Sequence, residues 1–399
     1  MFSTRCEVGL EPNSLSQALA RHLRSGRPHL DLTLSNPTRA ELPYAESALL
    51  AALATRELLD YDPQPFGLRS ARDAVARDYA LHGTEVAAER VLLTASTSEA
   101  YAFLFKLLCD PGDEVLCPRP SYPLFDSLAR LEGVRLAPYP LVYDGAWGID
   151  LAALQRARAP RTRALLLVNP NNPTGHYLKR NELELLRSLE LPIVSDEVFS
   201  RYAHGPDPAR VESLAGETDG LVFALGGLSK LAALPQLKLA WTVVAGAAER
   251  AAEAIARLEF IADAFLSVST PVQLALPALL AAREPTERAI AARLRSNREL
   301  LAAAAAGSAA SLLRTEGGWY AILRVPAILS DEDWAVELLE QCAVYVHPGH
   351  FFDLDAGAHL VLSLLTPPSA FREGVTRLLA FVRARCERSP DQPLEDRGR

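Results

Sequence analysis

Lys230 stands in the stretch LVFALGGLSKLAALPQLKLAW, residues 221–241, among small and apolar neighbours. The chain carries 41 lysines and arginines together, yet only Lys106, Lys179, Lys230 and Lys238 are lysines, so two of them share this one segment. A guanidinium stays protonated at any pH a protein meets, whereas a lysine in an apolar pocket can lose its proton and attack a carbonyl to form an imine. Two other groups follow the apolar runs that precede it. Asn169-Pro170-Asn171-Asn172-Pro173-Thr174-Gly175 comes after ALLLV, a stiff loop able to hold an amide over a pocket. Asp196 closes Ile193-Val194-Ser195-Asp196 and places a carboxylate at a strand end. Each feature alone has an ordinary explanation: a turn, a helix cap, a coding bias toward arginine. Amide, carboxylate and amine at three consecutive strand ends instead point to a site.

Earlier in the chain, Ser96 and Glu99 have the spacing of a capping box at a strand-to-helix junction. Hydroxyls and free N–H groups at a helix start also suit a phosphate, and neither a Walker nor a GxGxxG pattern is present. Pro120-Ser121-Tyr122-Pro123 offers a planar ring at a second such junction, for stacking or for packing.

The elements that must position these groups read as a repeat of apolar run, turn and amphipathic helix between residues 90 and 245. Candidate strands lie at 91–94, 114–117, 134–139, 164–168, 192–195, 221–225 and 239–244. This alternation predicts an α/β fold with a mostly parallel seven-stranded sheet, whose ligands gather at the carboxyl ends of the strands. Before it come a short strand at Leu30–Leu34 and helices at Glu46–Leu59 and Arg69–Leu81. After it, the alanine-rich residues 246–305 read as two or three helices punctuated by Pro271, Pro277 and Pro285. A smaller α/β unit then has strands near 319–325, 344–346 and 360–364, with helices near 331–341 and 370–386.

At 399 residues the chain is long enough for two or three domains, and its 49% hydrophobic and 23% charged residues are those of a globular protein. A net charge of −8 disfavours a nucleic-acid partner. The five scattered cysteines contain no CxxC pair and suggest neither zinc nor another metal. With no apolar leader in the first thirty residues and no run of 18 apolar residues, the expectation is a cytoplasmic protein without a membrane partner.

In order and spacing, NPNNPTG, SDEVF and GLSK resemble the pyridoxal-phosphate aminotransferases of fold type I, the aspartate aminotransferase-like classes I and II, over residues 30–385. The resemblance implies pyridoxal 5′-phosphate as cofactor, Lys230 as its Schiff-base lysine and Asp196 as the partner of its ring nitrogen. It further implies Asn172 on the ring oxygen, Tyr122 stacked on the ring, and Ser96, Thr97, Ser98, Ser229 and Lys238 about the phosphate. Tyr61 would reach a neighbouring subunit's phosphate, making a homodimer with shared sites. Asn36, Trp319 and the position of Val361 would face the substrate. The implied domains are an N-terminal segment 1–45 packing with the small domain, a large cofactor-binding domain 46–265, bridging helices with a small C-terminal domain 266–387, and a tail 388–399.

Four positions depart from the family pattern. Lys238 stands for an arginine, Phe199 for a tyrosine near the ring oxygen, Gly227 for a phosphate-binding serine, and Val361 for the arginine that grips a substrate carboxylate. Arg201, Arg314 or Arg324 would have to replace that grip. The expected function is transfer of an amino group from a donor to a keto acceptor. A β-eliminating lyase or decarboxylase on the same fold, and a non-catalytic regulatory protein holding the cofactor, are the alternatives.

Overall fold

The computed structural model describes residues 2–387, apart from residues 8, 10, 267 and 355–356. The expected tail at 388–399 lies outside the described residues. In chain order the strands are β1 Leu30–Asp31, β2 Val91–Thr94, β3 Glu114–Arg119, β4 Arg135–Tyr143, β5 Trp147–Ile149, β6 Thr162–Val168, β7 Ile193–Asp196, β8 Leu221–Gly227, β9 Ala240–Gly246, β10 Ser311–Leu312, β11 Tyr320–Val325, β12 Val344–Tyr345, β13 His347–Pro348 and β14 Ala358–Ser363.

All seven candidate strands form, and they join one sheet in the order β2-β9-β8-β7-β6-β3-β4-β5. Neighbours from β8 through to β4 pair in parallel, and β9 runs antiparallel between β2 and β8. The eighth strand, β5, is an antiparallel edge strand on β4 that the sequence reading missed. Its three residues, Trp147-Gly148-Ile149, are too few to show any alternation.

The near-continuous apolar runs follow from burial on both faces, as parallel sheets require. Leu166, Val168, Val194, Phe223 and Leu225 meet the helices Thr97–Leu108 and Ala248–Phe265 on one side. Leu165, Leu167, Ile193 and Val222 meet Leu154, Leu183 and Leu186 on the other.

Three helices follow, Ala248–Phe265, Thr270–Ala281 and Glu284–Ala305. Pro271 and Pro285 sit in first turns, where a missing N–H costs nothing, whereas Pro277 lies inside a helix and does not end it. The expected helix at Glu46–Leu59 stops at Leu53 and resumes only as a single 3-10 turn, Arg56–Leu59.

A four-stranded antiparallel sheet, β10-β11-β14-β13, forms the second layer. Its core of Leu323, Leu360 and Leu362 packs on Trp334, Leu338, Phe371 and Val375, and takes in Leu15, Ala18 and Leu32 from the N-terminal segment. That segment is tied down by parallel pairing of β1 with β12. The expected strand at Leu30–Leu34 ends after Asp31, whose Oδ1 accepts from the Thr33 N–H and hydroxyl and turns the chain.

Contacts just past the end of β3 help to join the two sheets. Arg119, which ends β3, pairs with Asp126 at 2.8 Å and also with Asp353, in the segment between β13 and β14. Two residues further on, the Ser121 N–H donates to the Phe352 carbonyl at 3.0 Å.

Candidate active site

Because β8, β7 and β6 lie side by side and run the same way, the residues just past their ends are neighbours. The Asn172 loop follows β6, Asp196 closes β7, and β8 leads into the short helix Leu228–Leu231 that carries Ser229 and Lys230. Next to β6 lies β3, which delivers Tyr122, and at the far edge β2 leads into the helix Thr97–Leu108.

Lys230 Nζ lies 5.1 Å from the Trp319 ring centre and 5.7 Å from that of Phe199. Among the described residues it makes no hydrogen bond. Enclosure by these rings lowers its pKa from 10.5 to about 8, against a smaller opposing pull from Asp196. Its backbone carbonyl accepts from the Tyr202 hydroxyl at 2.7 Å, and Tyr202 packs edge-on against Trp319.

Asp196 is buried, and burial raises its pKa from 3.8 to about 6. Among the described residues, only the Tyr101 hydroxyl at 3.1 Å and the Val198 N–H at 3.2 Å donate to it. Among the described residues no guanidinium or ammonium pairs with it within 4 Å, so it is a carboxylate at a desolvated place that feels Lys230 only at a distance.

The three asparagines of NPNNPTG divide their work. Asn169 bonds the Val211 carbonyl and the Leu178 N–H, and Asn171 Oδ1 accepts from Thr174; both hold the loop. The buried Oδ1 of Asn172 has no partner among the described residues. Rotated by half a turn, the same amide presents its NH2 instead.

At the start of the helix Thr97–Leu108, Ser96 Oγ accepts from the Glu99 N–H at 3.2 Å. Glu99 reaches back one residue further than a capping box requires, to the Ala95 N–H at 2.6 Å. The hydroxyls of Thr97, Ser98 and Ser229, and Lys238 Nζ, form no hydrogen bond among the described residues. Lys238 is exposed and held at φ +50°. Tyr122 is 36% exposed, with its hydroxyl pushed up to about 12 by burial of that end. Tyr61 is 72% exposed.

The residues fit pyridoxal phosphate. Asp196 awaits a cation such as a protonated ring nitrogen, Asn172 an oxygen partner, and the helix start with Lys238 an anion.

The substrate side differs from the sequence reading. Val361 is 1% exposed within a core of Leu313, Ile322, Phe352 and Leu354, so its side chain is covered by its neighbours. Trp319 is fully buried and forms the floor beneath Lys230. Asn36 Oδ1 caps its own 3-10 turn by accepting from Thr38. Arg201 lines a pocket with Asp78, Glu197 and Trp241, and Arg314 lies exposed beside Glu316.

Sequence reasoning missed Tyr101 and Tyr202. Both sit on apolar faces, where only their hydroxyls, aimed at Asp196 and at the Lys230 carbonyl, mark them as more than packing.

A mostly parallel sheet with an amine, a carboxylate and an amide at adjacent strand ends, and a second sheet closing over them, defines a pyridoxal-phosphate enzyme of fold type I. The chain belongs to the aminotransferase class I and II family, whose model matches residues 27–377. Among its relatives, an arginine–pyruvate transaminase of Pseudomonas aeruginosa is 29% identical over 91% of this chain and 92% of its own length. Nicotianamine aminotransferase 1 of Oryza sativa is 29% identical over 64% of this chain, which spans about half, 54%, of that longer protein. The solved alanine aminotransferase of Pyrococcus furiosus superposes with a TM-score of 0.86 at 23% identity, covering 96% of this chain and all (100%) of the other, a likeness of fold.

Proposed function

We propose that this chain transfers amino groups between an amino donor and a keto acceptor, with Lys230 as the group that holds pyridoxal phosphate and carries the proton. The observation that carries the proposal is the pairing of a lysine amine lowered to about 8 with a buried, cation-free Asp196 on the adjoining strand end. Bound there, the cofactor supplies an electron sink for the bond broken at the donor carbon.

The chain's own residues do the rest. An amine with a pKa near 8 is partly neutral at physiological pH, far more so than an ordinary lysine, and can both attack a carbonyl and shuttle a proton. Asp196 favours a positive charge on whatever faces it, and Tyr101 fixes the carboxylate's orientation. Asn172 offers the amide, Tyr122 the stacking face, and Thr97, Ser98, Ser229 and Lys238 the anion cradle. Phe199 contributes only an apolar edge near Lys230, so no hydroxyl at that position tunes the ring oxygen.

The functional unit is proposed to be a homodimer. Leu50, Leu59, Tyr61, Phe260, Phe265 and Leu266 are 52–80% exposed, large apolar side chains that a second copy of the chain would cover. In this reading Tyr61 completes the anion cradle of the other copy.

The test is to load the protein with pyridoxal phosphate, add amines and amino acids one at a time, and follow cofactor absorbance and products in a single turnover. Stoichiometric keto product with the cofactor left as its amine, restored by a keto acid, is expected. Release of ammonia or carbon dioxide, with the cofactor unchanged and no acceptor needed, would overturn amino transfer in favour of elimination or decarboxylation.

A further inference from the structure

We propose that the helix Glu284–Ala305 and the loop Tyr202–Gly205 form a binding site for a small oxyanion of the phosphate type, separate from the cofactor cradle. A recess of about 150 Å³ lies between them, lined by Tyr202, His204, Arg295 and Arg298 together with small or apolar residues, and no carboxylate lines it. Arg295 and Arg298 are three residues apart on one helix, and with Ala291 and Leu294 they share the face that looks into the recess.

Neither guanidinium has an ion-pair partner within 4 Å among the described residues, whereas Arg293 on the same helix is engaged by the carbonyls of Ala40, Glu41 and Leu365. Arg298 Nε is fully buried and makes no hydrogen bond among the described residues. Leaving such a donor unsatisfied is costly, and an acceptor supplied from solution removes the cost.

Arg298 also lines an adjoining recess of about 230 Å³, which brings Arg314 and Thr315 to its far side and has Glu299 in its wall. A planar guanidinium fork matches two oxygens of a tetrahedral anion, and the two forks of Arg295 and Arg298 at one recess select a doubly charged oxyanion over a halide.

His204 forms the back of the site as a neutral ring. Its Nε2 donates to the Gly318 carbonyl at 3.1 Å and its Nδ1 faces the Thr315 hydroxyl at 3.4 Å. Burial and then the positive charge of Arg298 lower its pKa. The site is walled off from the Lys230 amine by Tyr202, which meets Lys230 only at its backbone carbonyl. An anion here therefore occupies a different place from the helix start at Thr97 and Ser98.

The experiment is calorimetric titration of inorganic phosphate into protein already saturated with pyridoxal phosphate, so that the cofactor cradle is filled, with potassium chloride at matched ionic strength as the control. Saturable binding is expected in the parent protein, with affinity falling by roughly tenfold or more in Arg298→Gln and separately in Arg295→Gln, whose exposed side chain leaves folding untouched. Phosphate should also raise the His204 titration midpoint seen by NMR, by offsetting the charge of Arg298. Equal binding by the parent and both variants, or a response that potassium chloride reproduces, would overturn the site.

Discussion

At Lys230 and Asp196 burial shifts each ionisable group toward its neutral form. Reaction of the cofactor-free protein with a simple aldehyde should show a rate that rises through about pH 8, where the folded amine deprotonates, and not near 10.5. Lys230→Ala should abolish that phase, and borohydride trapping of pyridoxal phosphate should then label no peptide. A label left on Lys238 or Lys106 would relocate the site. In Asp196→Asn the midpoint should move lower still, because the carboxylate is what pulls the amine upward.

The same substitution tests stability. Asp196 has a folded pKa above its unfolded value, so ionising it opposes folding: the cost is absent below pH 3.8, grows through about 6 and is complete above that. Without cofactor, Asp196→Asn should therefore unfold at higher denaturant at neutral pH, by about 2–3 kcal/mol, while losing most turnover when loaded. The advantage should vanish toward pH 4. A variant no more stable than the parent at neutral pH would sink this account of the site as a strained carboxylate.

Among the elements, the Asn172 loop is the one whose shape depends on a single backbone conformation. Gly175 has φ +68°, and a Cβ there would lie 2.5 Å from the Gly317 carbonyl oxygen. Gly175→Ala should cost about 1–3 kcal/mol of backbone strain, with the close contact adding to it. Thermal unfolding and cofactor retention should fall together, since the amide of Asn172 rides on this loop. Loss of stability with unchanged cofactor affinity would separate loop and site.

Elements and site were legible in the sequence to different depths. The parallel strands were readable because burial on both faces writes an unbroken apolar run, as in ALLLV, and the candidate site groups stand out because Asn172, Asp196 and Lys230 each follow or end such a run. β5 escaped because three residues carry no period, and Pro277 misled because a helix packed on both sides tolerates a proline that a solvated one would not. Val361 was placed on the right strand, but the sequence could not tell that Phe352 and Leu354 cover it. Tyr101 and Tyr202 were invisible for the same reason: a hydroxyl's partner is a matter of three-dimensional packing.

For the whole molecule, the proposed sharing of sites makes a prediction that folding alone does not. In a mixed dimer of Lys230→Ala and Tyr61→Ala, one site combines an intact lysine with an intact tyrosine from its neighbour. Refolding an equal mixture of the two variants should therefore restore roughly a quarter of the parent activity, the share expected from random pairing, above the sum of the separate variants. Strict additivity of the two parents, or a fully active monomer by sedimentation, would refute the shared arrangement.

The tether between the two sheets bears on motion. Arg119 and the Ser121 N–H fasten the loop that carries Tyr122 to the segment that ends in β14, so the aromatic ring and the small sheet are geared together. A rotation of the small sheet has to drag the ring across the cleft, like a shutter on a common axle. The Ser121 amide is the natural dial for that movement: its rate of hydrogen exchange should track the opening of the cleft, slow when a donor is bound and faster when the cleft is empty, with no change in the exchange of the buried amides of β6.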